Sequence, residues 1–264
     1  MPVRLGQVDY LNCLPVYYPL NRKLVTPAVS LEIVKGVPAF LNQLFFTGQL
    51  EATPLSSIEY ARHPEKAIIL PGLSISADGR VGSILLFSRR SPAALGGCCV
   101  ALTSSSATSV AMLRILFTCY YRVETTFIVR PPDLAAMLQE AEAALLIGDE
   151  ALLAAARTQA EGLPLEVTDL GVAWKEMTGE MMVYALWTVR REFALSRREE
   201  TWALVQTLTA AKAEGIRRLE ELIAEGKRIT GLPEFFLRDY FGLIKHDFTA
   251  EYRRGLLRFY EYAY

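Results

Sequence analysis

Only two histidines, His63 and His246, occur in the 264-residue chain, and its four cysteines (Cys13, Cys98, Cys99, Cys119) show no C-x-x-C spacing. A zinc site has little to build on, and the adjacent Cys98-Cys99 are a poor disulfide pair, so reduced thiols fit best. No run approaches the ~20 apolar residues that cross a bilayer. The start, MPVRLGQVDYLN, lacks the apolar stretch and small-residue cleavage site of a signal peptide. A formal net charge of −1 leaves no basic excess to neutralise nucleic-acid phosphates. The short groups Arg89-Arg90, Arg190-Arg191 and Arg197-Arg198 read as solvated or hinge-side charge. Neither G-x-x-x-x-G-K-[ST] nor G-x-S-x-G is present, so neither a nucleoside triphosphate nor a hydrolase nucleophile elbow is expected. The expectation is a cytoplasmic protein with no metal site and no nucleic-acid or membrane partner, its oligomeric state, monomer or homodimer, left open.

Apolar residues, 52% of the chain, are arranged as alternating strands and helices. Residues 3–10 read as a buried strand, LEIVKG as a second, and Pro38 opens a helix that stops at Gly48. AIILPG, LSISA and VGSILLFSR read as short strands broken by Pro71-Gly72 and Asp78-Gly79. The pattern restarts after Ser91-Pro92: strand CCVALT, a helix over 106–118, strand TTFIVR, a helix over 132–141, strand AALLIG and a helix opened near Asp149. DLGVAWKEMTGE reads as a loop in which Trp174 packs, MMVYALWTVR as a strand, and the chain beyond Ser196 as helical. Two strand-helix series with a helical tail predict an α/β protein of two lobes. The predicted first lobe is discontinuous, 1–88 plus 190–264, with 89–189 inserted. Two chain crossings at one place predict a hinge, and hinged lobes close on ligands.

The densest polar feature is VALTSSSATSVAMLRIL, where six of the seven residues from Thr103 to Ser109 are Ser or Thr at a strand-to-helix junction. Free N–H groups at a helix start, with hydroxyls beside them, suit an anion such as a carboxylate. One serine would also serve simply as the helix cap. In IGDEAL, Gly148 lets a backbone approach closely after a strand, and Asp149 reads equally as a helix cap or a ligand contact. Tyr10 and Asn12, in VDYLNCLPVYYPL, stand where a strand's carboxyl end meets its loop, the usual ligand position in open α/β folds. Ser83 follows the Asp78-Gly79 turn; His63 and His246 read as surface or structural. Residues and spacing alone predict a cleft for a small anionic ligand, with no reaction visible.

Six ordered stretches, GQVDYLNCLPVYYPL, LEATPLSSIEYAR, ISADGRVGSILLFSR, LTSSSATSVAMLRILF, IGDEAL and DLGVAWKEMTG with YALW, resemble the MqnA family of chorismate dehydratases, which serve the futalosine route to menaquinone. The resemblance covers most of residues 3–190. It implies the type II periplasmic-binding-protein fold with an interlobe cleft. It implies a carbon–oxygen lyase (hydro-lyase) that converts chorismate to 3-[(1-carboxyvinyl)oxy]benzoate without a cofactor. By similarity, Asn12 and Ser83 are the catalytic residues. Tyr10, Thr103, Ser104, Ser105, Ser106, Thr108, Gly148 and Asp149 would contact substrate. Two stretches depart from the family pattern: Glu51 with Thr53-Pro54 in place of D-x-A-x-V-P, and EMMVYALW after Thr178-Gly179. The rival readings are the sister enzyme that releases a dihydroxynaphthoate and a non-catalytic binding protein of the same fold.

Overall fold

Ten strands carry the architecture of the computed structural model, which describes every residue from Met1 to Tyr264. They are β1 (Val3–Val8), β2 (Leu31–Gly36), β3 (Ala52–Ser56), β4 (Ala67–Ala77), β5 (Ile84–Ser88), β6 (Cys99–Thr103), β7 (Thr126–Arg130), β8 (Ala143–Ile147), β9 (Glu166–Asp169) and β10 (Met182–Arg190). One five-stranded sheet has the order β2-β1-β3-β10-β4, the other β7-β6-β8-β5-β9. In the first, β1 is parallel to β2 and β3, and β10 returns antiparallel with Leu186 opposite Leu55. In the second, β6 is parallel to β7 and β8, while β5 runs antiparallel to β8 and β9. Parallel neighbours need crossovers of a dozen residues or more, and the helices Leu14–Asn21, between β1 and β2, and Ala107–Ile115, between β6 and β7, lie in two of them.

The chain forms two compact units: Met1–Ser76 with Val183–Thr249, and Ala77–Met182 with Ala250–Tyr264. These limits differ from 1–88 plus 190–264 and 89–189 at three places. β10 lies in the first sheet, where it pairs with β3, so the chain from Val183 belongs to the first unit. β5 lies in the second sheet because its ILLFS run pairs on one side with β8 and on the other with β9. The last helix, Ala250–Ala263, belongs to the second unit because its Phe259 and Tyr262 rings meet Trp174 edge-on at 5.9 and 5.8 Å.

Other expectations shift in detail. The first strand ends at Val8, and Tyr10 precedes a 3-10 turn, Leu11–Cys13. β4 runs unbroken through Pro71-Gly72. It is the last strand of its sheet, where a missing N–H costs no ladder bond on the open side. The stretch from Asp169 to Glu180 is mostly helix (Leu170–Thr178), which the Asp169 carboxylate caps, and Trp174 is fully buried. The helix expected over 106–118 runs Ala107–Ile115 and then widens into a π-helical stretch, Leu116–Tyr121. The run after Ser196 divides into Arg198–Arg217 and Leu219–Thr230. No helix is long and apolar enough to cross a membrane, and the four cysteines are free thiols.

Around β1 the core is specified by close approach. Tyr17 and Trp187, both fully buried, lie with ring centroids 6.2 Å apart. The Trp187 indole N–H donates to the Tyr17 hydroxyl (3.1 Å), which donates to the Gly6 carbonyl (2.6 Å). Each polar atom of the pair thus has a partner inside the core, as burial requires. A side chain at Gly6 would meet the Thr53 hydroxyl at 2.4 Å, so only glycine lets β1 and β3 pack this way. Glu51, at the departure from the family pattern, is a structural ion-pair residue. It accepts from the Arg4 backbone N–H (2.8 Å) and Nε (3.0 Å). Burial raises its pKa, but the hydrogen bonds and charge of Arg4, with Arg190 beyond, outweigh this and hold the carboxyl below its usual range.

Candidate functional site

The first-unit candidates sit at the carboxyl end of β1. Val8 ends the strand, Tyr10 is extended, and Cys13 N–H donates to the Tyr10 carbonyl (3.0 Å) to close the turn holding Asn12. Pro15 then falls in the first turn of the helix Leu14–Asn21, where its missing N–H breaks no bond within the helix. The Asn12 side-chain oxygen is shielded from solvent and has no hydrogen-bond partner. A shielded amide acceptor left unpaired is costly, and it is suited to a donor brought by a ligand.

The second-unit candidates gather at one edge of the second sheet. Leu102 and Leu145 are register partners in parallel β6 and β8, so Thr103 and Ile147 end their strands side by side. Ile84 opposes Ile147 across the antiparallel β5/β8 pair, which brings Ser83 to the same edge. The Gly148 N–H donates to the Ser83 carbonyl at 2.8 Å. Gly148 has a φ of +60°, a left-handed conformation that glycine adopts at no steric cost. Thus Ser83, Thr103 to Ser106, Thr108, Gly148 and Asp149 converge around the starts of two helices, Ala107–Ile115 and Gly148–Glu161.

The hydroxyls divide their work. Ser106 is the cap: its Oγ accepts from Ser109 N–H (3.3 Å) and donates to Ser109 Oγ (3.1 Å). The Thr103 hydroxyl accepts from Ser105 N–H (3.2 Å), and Ser104 N–H donates to the Arg130 carbonyl (3.3 Å). Thr103, Ser105 and Thr108 are buried and Ser104 is exposed. One serine caps, as elementary helix chemistry demands, and the others exceed what a cap needs. Asp149 is not the cap of its helix. That position is Ile147, with no side-chain bond, and Asp149 lies in the first turn, where its charge favours the helix dipole. No group of three His, Cys, Asp or Glu side chains is placed to hold a metal ion.

Two residues that sequence reasoning passed over support these turns. The Asp169 carboxylate accepts from the backbone N–H groups of Gly82 (2.7 Å), Val81 (3.1 Å), Gly171 (2.8 Å) and Val172 (3.2 Å). It ties the chain just before Ser83 to a helix start. Burial raises its pKa above the ordinary aspartate value, against the pull of those four donors. An Asp directly before an apolar-periodic run is a cap signature that could have revealed it. His246 carried no such signal. It is buried, and its Nε2 lies 2.7 Å from the Asn12 carbonyl, a residue 234 positions away.

Burial lowers the His246 pKa to about 4, with Lys212 and Lys245 also lowering it and the Asn12 carbonyl and Asp247 raising it. The unfolded chain takes up that proton near 6.5, so the contribution to stability is complete above pH 6.5 and fades as pH falls towards 4. Between pH 7.5 and pH 5 this is worth about 2 kcal/mol. Urea unfolding at those two pH values should show His246→Gln losing that much less than the parent. An identical pH response in the two proteins would refute the assignment.

A family model described as menaquinone biosynthesis matches residues 3–264. A chorismate dehydratase of Thermus thermophilus is 32% identical over 271 residues, spanning 98% of this chain and 94% of that protein. Among solved structures, a protein of Archaeoglobus fulgidus superposes with a TM-score of 0.81 at 20% identity, covering 99% of this chain and 96% of that one. The periplasmic aliphatic sulphonate binding protein of Escherichia coli does so with a TM-score of 0.65 at 18% identity, covering 98% and 92%. The fold is that of the periplasmic binding proteins.

Proposed function

We propose that this chain, which belongs to the menaquinone biosynthesis family, is a chorismate dehydratase that eliminates water from chorismate to give 3-[(1-carboxyvinyl)oxy]benzoate. The observation that carries the reading is the 32% identity to the Thermus thermophilus enzyme over almost the whole of both chains.

The residues suit the chemistry. Chorismate carries two carboxylates, a hydrogen on the ring carbon bearing the enolpyruvyl ether, and a hydroxyl on the next carbon. Losing that C–H proton and the C–O bond places the electron pair in a new ring double bond and completes an aromatic ring. The proton and hydroxide leave as water, so no oxidant or reductant is needed. With aromatisation as the drive, the protein's task is to hold one reactive conformer and exclude competing rearrangement. The N–H groups of the Ala107–Ile115 helix start, with the hydroxyls of Thr103, Ser105 and Thr108, suit one carboxylate. The unpaired Asn12 oxygen suits the substrate's hydroxyl hydrogen, orienting the group that departs. Ser83 and Gly148, joined through the backbone, stand at the strand ends next to those hydroxyls and would serve the same carboxylate. The substrate's own enolpyruvyl carboxylate takes the ring proton in this scheme.

Pure protein incubated with chorismate should yield one aromatic product, 18 mass units lighter by the loss of one water, followed by ultraviolet absorbance and mass spectrometry. Unchanged chorismate, or activity only on a cyclised futalosine derivative, would overturn the reading.

A further inference from the structure

Asn12 stands in a turn whose backbone bonding is incomplete. The Tyr10 carbonyl accepts from Cys13 N–H and the Leu11 carbonyl from Leu14 N–H, each three residues on. The next such bond, from residue 15 to the Asn12 carbonyl, cannot form because Pro15 has no N–H. The donor comes from elsewhere: His246 Nε2 lies 2.7 Å from that oxygen. A carbonyl only accepts, so Nε2 carries the proton and the ring is held in that tautomer.

His246 is itself held from both sides. Its segment, between the helices Glu234–Leu243 and Ala250–Ala263, is stitched to the edge strand β4. Lys245 and Ser76 exchange backbone hydrogen bonds (2.8 and 2.9 Å), and Ser74 N–H donates to the His246 carbonyl (3.1 Å). The Ser74 hydroxyl donates to the Asp247 carbonyl (2.6 Å), and Lys212 Nζ bridges the Asp247 carboxylate and the Gly72 carbonyl (both 2.7 Å). A buried ring on so tied a segment has little freedom, and neither has the turn it holds.

We propose that His246 is a positioning residue for Asn12: by donating from Nε2 to the Asn12 carbonyl in place of the N–H that Pro15 lacks, it fixes the turn that aims the Asn12 carboxamide at the substrate. This rests on the catalytic role given to Asn12 above. Burial keeps the imidazole neutral throughout the physiological range, so the bond persists there without a charge beside the substrate.

Steady-state kinetics on chorismate test it with four proteins: His246→Leu, His246→Gln, Asn12→Ala and the double variant Asn12→Ala/His246→Leu. His246→Leu removes the donor and should lower kcat about 10- to 50-fold with KM changed less than threefold. The Gln side chain places an amide donor near the position of Nε2, and His246→Gln should recover kcat to within about threefold of the parent. The double variant should be no slower than Asn12→Ala alone, since one residue acts through the other. A parental kcat in His246→Leu beside an impaired Asn12→Ala, or losses that multiply in the double variant, would overturn the positioning role alone. A parental Asn12→Ala would overturn the role of Asn12, and the present proposal with it. Should His246→Leu not fold, His246→Asn, whose amide stops short of the carbonyl, takes its place in every comparison.

Discussion

Asn12→Ala is expected to lower kcat on chorismate by about 10²- to 10³-fold while KM moves less than about threefold. That range is what removing one preorganised polar group at a reacting centre costs in other enzymes. The reasoning begins with the side-chain oxygen, shielded from solvent and unpaired, on a turn held by Cys13 N–H and His246 Nε2. Leaving such an acceptor unmatched costs stability on folding, so its presence is best explained by a partner that arrives with the substrate. If that partner is the departing hydroxyl, the interaction orients bond breaking, and its loss falls on kcat. In the proposed scheme the carboxylates are gripped elsewhere and keep most of the binding affinity, which leaves KM nearly untouched. Steady-state rates at saturating and limiting chorismate separate the two parameters. Turnover at the parent rate would remove Asn12 from the chemistry.

The second large effect is structural and separates two glycines of the same helical region. Gly215 lies in the Arg198–Arg217 helix, where an added Cβ would sit 1.8 Å from the Pro15 carbonyl oxygen. Backbone cannot swing aside as a long side chain can, so Gly215→Ala forces apart this helix and Leu14–Asn21, the one that follows Asn12. Helix propensity favours alanine by about 1 kcal/mol, but overpacking against rigid neighbours costs about 3 kcal/mol or more. We expect Tm to fall by about 5 °C or more. Gly242, in the Glu234–Leu243 helix, has open space where its Cβ would be. Gly242→Ala should leave Tm unchanged or raise it by a degree or two. Thermal unfolding followed by circular dichroism reads both. Equal melting temperatures for the two variants would mean that the helix contact at Pro15 is looser than the structure places it.

Much of this was legible in the residues. The Ser/Thr cluster between a strand and an apolar-periodic run marks a helix start rich in donors, because hydroxyl-bearing residues and free N–H groups belong together there. Gly148 after AALLI marks a tight strand-to-helix junction, and the structure gives it the positive φ that only its missing side chain makes easy. Pro71-Gly72 misled, because the same dipeptide breaks a central strand and is tolerated in an edge strand; whether a strand lies at an edge is a property of the sheet. Asp169 was hidden because its segment was read as a loop, although half its hydrogen bonds go to a helix cap that the sequence does announce.

Local pattern alone determined the strand-helix alternation, the α/β class and the stretches worth inspecting, since periodicity, capping and turn chemistry act over a few residues. Tertiary structure decided which sheet β5 joins, where the last helix packs, and that His246 supplies the donor Pro15 lacks. Those outcomes depend on strand order and on contacts spanning up to 234 positions, and no local spacing rule encodes which distant backbone group a buried side chain will meet.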